Sequence, residues 1–122
     1  MFAFGPYEIH IQTTWRIRND QQILVGSADL FYPAIDPLDP PDGWQWDEPN
    51  ANRADHLLDA LLAQHEWFVE RIEATNVGDL RIALSGAHVL EIIVNVSVVD
   101  ECWRFLDSEQ QLVVTPVGLD LQ

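Results

Sequence analysis

From residue 88 to residue 98 apolar and polar side chains alternate. Leu90, Ile92, Val94, Val96 and Val98 fall on one parity, and Glu91, Asn95 and Ser97 on the other. Successive side chains of a strand point to opposite faces, so this run predicts a strand with one buried and one wet face. The same period marks residues 7–18, where Tyr7, Ile9, Ile11, Trp15 and Ile17 oppose Glu8, His10, Gln12, Thr14, Arg16 and Arg18. Strands wet on one face belong to antiparallel sheets. Asn19-Asp20 is a turn signal, and Ile23-Leu24-Val25 with Leu30-Phe31-Tyr32 reads as the ragged second arm of a hairpin. Further strands are expected over residues 67–76 and at Leu80, Ile82 and Leu84. A final hairpin, Trp103–Leu106 with Leu112–Val114, turns around Asp107-Ser108-Glu109.

Only one segment carries the helical period. Asn52 reads as an N-cap with Asp55 three residues on, and Leu57, Leu58, Leu61, Leu62 and His65 follow at helical spacing, which predicts a helix over residues 53–66. The pattern as a whole predicts an α+β fold in a single domain spanning residues 1–122. A twisted antiparallel sheet of about six or seven strands packs one helix on one face. A small barrel-like β-fold with the helix closing one end is the alternative.

Charge narrows the partners. The chain has 122 residues, of which 20 are acidic and six basic, for a net charge of −14. Every basic residue is arginine. Such a chain repels phosphate backbones and anionic membrane surfaces, so neither nucleic acid nor a membrane is expected as a partner, and a basic protein is. Met1-Phe2-Ala3-Phe4-Gly5-Pro6 lacks the basic region of a signal peptide, and no apolar run is long enough for a bilayer. A cytoplasmic location is the expectation. Cys102 is the only cysteine, so no disulfide forms within the chain.

No motif for catalysis or for a cofactor is present. His56 and His65 stand nine residues apart on the predicted helix, on roughly opposite faces. His10 lies on the polar parity of its strand beside Glu8, and His88 begins a strand. Neither HExxH nor paired Cys/His spacing occurs, and no metal or cofactor is expected. Cys102 follows Asp100-Glu101, whose charges disfavour a thiolate. Ser85-Gly86 lacks the glycine pattern of a nucleophile elbow.

The segment 33–50 is the remaining candidate. It holds Pro33, Pro37, Pro40, Pro41 and Pro49 interspersed with Asp36, Asp39, Asp42, Asp47 and Glu48, and reads as a long irregular acidic loop. Its carboxylates recur every third residue, which is not the spacing of a calcium-binding EF-hand loop. Trp44 and Trp46 sit inside it. In an extended segment their spacing points both rings the same way, where they serve as anchors for a partner or plug one end of the sheet. The predicted contact residues are Trp44, Trp46, Asp42, Asp47 and Glu48.

Two hairpins share a pattern. Trp15-Arg16-Ile17, Asn19-Asp20, Gln21-Gln22 and Ile23-Leu24-Val25 parallel Trp103-Arg104-Phe105, Asp107-Ser108-Glu109, Gln110-Gln111 and Leu112-Val113-Val114, with Asp29-Leu30 and Asp120-Leu121 closing the copies. At Leu80-Arg81-Ile82, Leu90-Glu91-Ile92, Trp103-Arg104-Phe105 and Leu112-Val113-Val114 the chain resembles a group of small uncharacterised bacterial domains, some of them similar to immunity proteins of toxin systems. The resemblance covers about residues 78–119 and transfers no functional residues. With the charge of −14, the Trp44/Trp46 acidic loop and the lack of a catalytic motif, the expectation is a non-enzymatic interaction protein, an immunity-like inhibitor of a basic partner. A small enzyme using carboxylates or His10, and a structural homodimer, are the other expectations.

Overall fold

In a computed structural model of the chain, the described residues are 2–4, 7–34, 41–97, 101–106, 111–115 and 118–121. They form an α+β fold of antiparallel sheets and one α-helix, as the alternation predicts. The strands divide over two five-stranded sheets. The elements in chain order are β1 (Phe2–Phe4), β2 (Tyr7–Ile11), β3 (Thr14–Arg18), β4 (Ile23–Gly26), a 3₁₀ turn (Ser27–Phe31), α1 (Arg53–Gln64), β5 (Val69–Ala74), β6 (Leu80–Leu84), β7 (His88–Ile93), β8 (Trp103–Leu106), β9 (Gln111–Thr115) and β10 (Gly118–Leu121). One sheet runs β1-β2-β8-β9-β10 and the other β4-β3-β7-β6-β5.

The chain gathers into two compact units, one of Met1–Trp15, Ile72–Ile82 and Glu91–Gln122, the other of Arg16–Arg71 and Ala83–Leu90. The first holds the sheet built around β8. Trp103 there lies between Ile11 of β2 and Val114 of β9, and only 5% of it is exposed. Its indole Nε1 donates to the Gly78 carbonyl at 2.7 Å. Cys102 beside it is buried and forms no disulfide.

Residues 7–18 are two strands, not the single one their parity suggests. The break falls at Gln12-Thr13. It is held by the Gln12 N–H on the Cys102 carbonyl at 2.8 Å and by the Thr13 hydroxyl on the Ile93 carbonyl at 2.9 Å. Buried β2 and β3 residues still share a parity, since Ile9 and Ile17 are both in the core. The last strand of the alternating pattern is also shorter than expected, ending at Ile93 instead of residue 98. There the Val94 N–H turns to the Asp79 carboxylate at 2.8 Å.

In the second unit, Asn19 makes the β3–β4 hairpin turn. Its side-chain oxygen accepts from the N–H groups of Gln21 and Gln22, each at 2.8 Å. The expected strand at Leu30-Phe31 is instead the 3₁₀ turn. Asp29, three residues after Gly26, accepts from the Gly26 N–H at 2.9 Å and draws the chain into a turn. Asp29-Leu30 is thus in a turn while Asp120-Leu121 is in β10, so the two similar segments correspond only across their hairpins.

Asn52 caps α1 as predicted, accepting from the Asp55 N–H at 2.8 Å. The helix packs against the 3₁₀ turn and β4. Its covered residue is Ala54, whereas Leu62, part of the expected apolar stripe, is exposed.

The β6–β7 turn places both Gly86 (φ +76°) and Ala87 (φ +61°) in the left-handed region, as a type I′ hairpin turn requires. Alanine pays for that conformation with a contact between its Cβ and the backbone. Ala87→Gly is expected to raise the unfolding free energy by about 1 kcal/mol in urea denaturation. A loss of stability would show that the turn relieves the strain elsewhere.

Candidate protein-contact site

Residues 41–51 are not extended, contrary to the geometry assumed for the paired rings. They fold into consecutive tight turns. The Trp44 N–H donates to the Pro41 carbonyl at 3.1 Å, and Gly43 at φ +79° fills the third position of that turn. The Ala51 N–H donates to the Glu48 carbonyl at 3.1 Å, with Pro49 second and Asn50 third at φ +60°. Proline at the second position and glycine or asparagine at a left-handed third position are the residues of type II turns. Pro49, which excludes a strand here, therefore also selects the second of these turns, while Gly43 permits the first.

The ends of the loop are tied together. The Ala34 N–H donates to the Ala51 carbonyl at 2.9 Å, the Arg53 N–H to the Tyr32 carbonyl at 2.8 Å, and Pro33 bridges Asn52. Asp36, Asp39, Pro37 and Pro40 lie outside the described residues.

The turns bring Trp44 and Trp46 edge to face, with centroids 6.4 Å apart and planes at 80°. Such a pair is worth about 0.5–1.5 kcal/mol beyond burial. Trp44 is half-buried, while Trp46 is 40% exposed. The two predicted roles are thus divided, one ring turned in and one out. Asp42, Asp47 and Glu48 are all exposed. A cleft of about 330 Å³ is lined by Pro41, Asp42, Trp44, Gln45, Glu48 and Pro49. The Trp44 indole N–H is buried and has no acceptor among the described residues. A buried donor left unpaired costs about 1–3 kcal/mol. No basic residue occurs in residues 41–52. The site can therefore offer aromatic faces and carboxylates to a cation.

Elsewhere the structure assembles a cluster that the sequence did not suggest. His65, at the C-cap of α1, stacks on Trp67 at 5.7 Å with planes 4° apart, and its ring lies 4.7 Å from that of His88. The Trp67 indole N–H donates to His88 Nδ1 at 3.3 Å. The proximity of His65 and Trp67 in the chain is the one available signal, and the strand-pairing that delivers His88 is not local. Among the described residues His10 pairs with Glu8, at 3.3 Å, on a half-exposed surface. Among the described residues, no three metal-ligating side chains converge.

A second cleft, of about 350 Å³, is lined by Glu73, Thr75, Asp79, Arg81 and Glu91 among others. Its carboxylates have structural work. Asp79 accepts from the Val94 N–H, and Glu91, buried despite its polar parity, takes the Arg81 guanidinium at 3.4 Å. No family model, curated protein or solved structure matches the chain. Among the described residues no helix is long and apolar enough to cross a membrane.

Proposed function

We propose that the chain is an acidic protein-interaction domain that docks on a basic protein surface through the tryptophan turns, in the manner of an immunity protein covering its toxin. The observation that carries this reading is an exposed Trp46 braced on Trp44 and flanked by exposed Asp42, Asp47 and Glu48. Tryptophan concentrates binding energy, and the surrounding carboxylates select a cationic partner and steer it. The net charge of −14 extends that steering beyond the site.

Titration with an arginine-rich peptide, read by tryptophan fluorescence, tests it. Association is expected to weaken about tenfold or more between low and physiological salt, as the Debye length falls from about 30 Å to about 8 Å. Charge alone would give that much, so a second comparison is decisive. Neutralising Asp42, Asp47 and Glu48 together (to Asn, Asn and Gln) is expected to weaken binding about tenfold more than neutralising the equally exposed Asp20, Asp59 and Glu70. Equal losses would remove the turns as the docking site.

A further inference from the structure

His65, Trp67 and His88 all lie in the unit of Arg16–Arg71 and Ala83–Leu90. Two local features bring them together. Helix α1 stops at His65, whose N–H donates to the Leu61 carbonyl and whose extended backbone (φ −132°) sends the chain on to Trp67. The β6–β7 turn returns the chain at His88, the first residue of β7. The Ser85 N–H donates to the Phe68 carbonyl at 2.9 Å and the Phe68 N–H to the Ser85 hydroxyl at 3.0 Å, so the two segments are held side by side. We propose that His65 and His88 form a two-histidine site for a late first-row divalent cation, Zn²⁺ or Cu²⁺. One nitrogen of each ring ligates the ion and water completes its shell.

The ring geometry suits a shared ion. A metal–nitrogen bond of about 2.0–2.1 Å puts the centre of an imidazole about 3.2 Å from the ion, and two such rings at a tetrahedral angle have centres about 5 Å apart. The centres of His65 and His88 are 4.7 Å apart, with planes tilted by 56°. Both rings are seated. His65 stacks on Trp67, and the absent side chain of Gly86 leaves the room that His88 takes, since a Cβ there would come within 3.3 Å of Nδ1. His88 is buried and His65 half-buried, so water reaches the pair from the His65 side.

Hydrogen bonding sorts the nitrogens. His88 Nδ1 lies 3.3 Å from the Trp67 indole nitrogen and 3.4 Å from the Ser85 carbonyl. Among the described residues, none bonds His88 Nε2 or either nitrogen of His65. When Nδ1 accepts from Trp67, the proton of the neutral ring sits on Nε2. An ion on Nε2 moves that proton to Nδ1, which then donates to the Ser85 carbonyl. A backbone carbonyl is the anchor that metal-bound histidines commonly use. Trp67 gives up its bond in the exchange. Imidazole ligands select late first-row ions over Mg²⁺ and Ca²⁺, which take oxygen. The tryptophan turns contribute no residue to the site, so its failure leaves the docking reading untouched.

Titration of the full chain with Zn²⁺ in a large excess of Mg²⁺, followed by calorimetry, is the test. One Zn²⁺ per chain is expected. His65→Gln and His88→Gln are each expected to weaken binding at least tenfold, whereas His10→Gln and His56→Gln leave it unchanged. The Trp67 indole N–H resonance, identified by its loss in Trp67→Phe, is expected to shift as its acceptor is withdrawn. If His88→Gln fails to fold, as read by circular dichroism, His65→Gln and the indole shift decide. No binding in the presence of Mg²⁺ overturns the proposal. So does binding that persists in His65→Gln, which would place the ion on carboxylates, or an indole resonance that stays where it was.

Discussion

Trp103→Ala is expected to lower the unfolding free energy by about 3–5 kcal/mol in urea denaturation. A domain of this size holds about 5–15 kcal/mol in all, so this one change consumes much of the margin. Two losses coincide. The ring is almost wholly buried in the middle strand of its sheet, between Ile11 and Val114, so its removal leaves a cavity that both flanking strands would have to close. The Gly78 carbonyl loses its 2.7 Å donor, and with it the tie between β8 and the turn that joins β5 to β6. Trp103→Phe separates the terms, since it keeps most of the apolar volume and removes the hydrogen bond. It is expected to cost about 1–3 kcal/mol, the penalty of the orphaned acceptor with a small cavity. A Trp103→Ala chain within about 1 kcal/mol of the parent would mean that the sheet does not depend on this ring.

Trp46→Ala is expected to have the second large effect, on binding alone. The loss of affinity for the arginine-rich peptide is expected to be about 30-fold, the equivalent of about 2 kcal/mol at a binding hot spot. Unfolding in urea should move by no more than about 0.5 kcal/mol, because an exposed side chain outside the core contributes little to folding. Trp44→Phe provides the complement. It removes the buried N–H that has no acceptor among the described residues, so the free chain should be no less stable, while the edge-to-face brace under Trp46 is weakened and affinity falls. Unchanged affinity in Trp46→Ala would assign docking to another surface.

Local chemistry made much of this fold legible. Asn19 organises its turn and Asn52 its helix with side-chain hydrogen bonds that act within three residues, so each was visible in a short window. The strand alternation likewise identified β6 and β7. The break between β2 and β3 was hidden for a simple reason. Two intervening residues preserve parity, so the pattern runs through Gln12-Thr13 as though the strand continued. Glu91 escaped because parity assumes that the polar face is wet, and its partner Arg81 stands on another strand. The short strands β1 and β10 have too few residues to display a period.

The candidate site was half legible. Its residues and their acidity were apparent, but prolines announce only that a strand is absent, and the turns that set Trp44 against Trp46 depend on φ values at Gly43 and Asn50. The histidine–tryptophan cluster depends on β6 and β7 folding back to bring His88 beside Trp67, which no local pattern records.

The neck of the tryptophan loop separates the display from its support. Because Ala34, Ala51, Tyr32 and Arg53 cinch the base by backbone bonds alone, the composition of the tip has little purchase on the frame beneath it. Lengthening a closed segment costs only about 0.6 kcal/mol per doubling. On the docking reading proposed above, the turns of residues 41–50 can therefore be exchanged to change what is bound while the bonds at the base are kept.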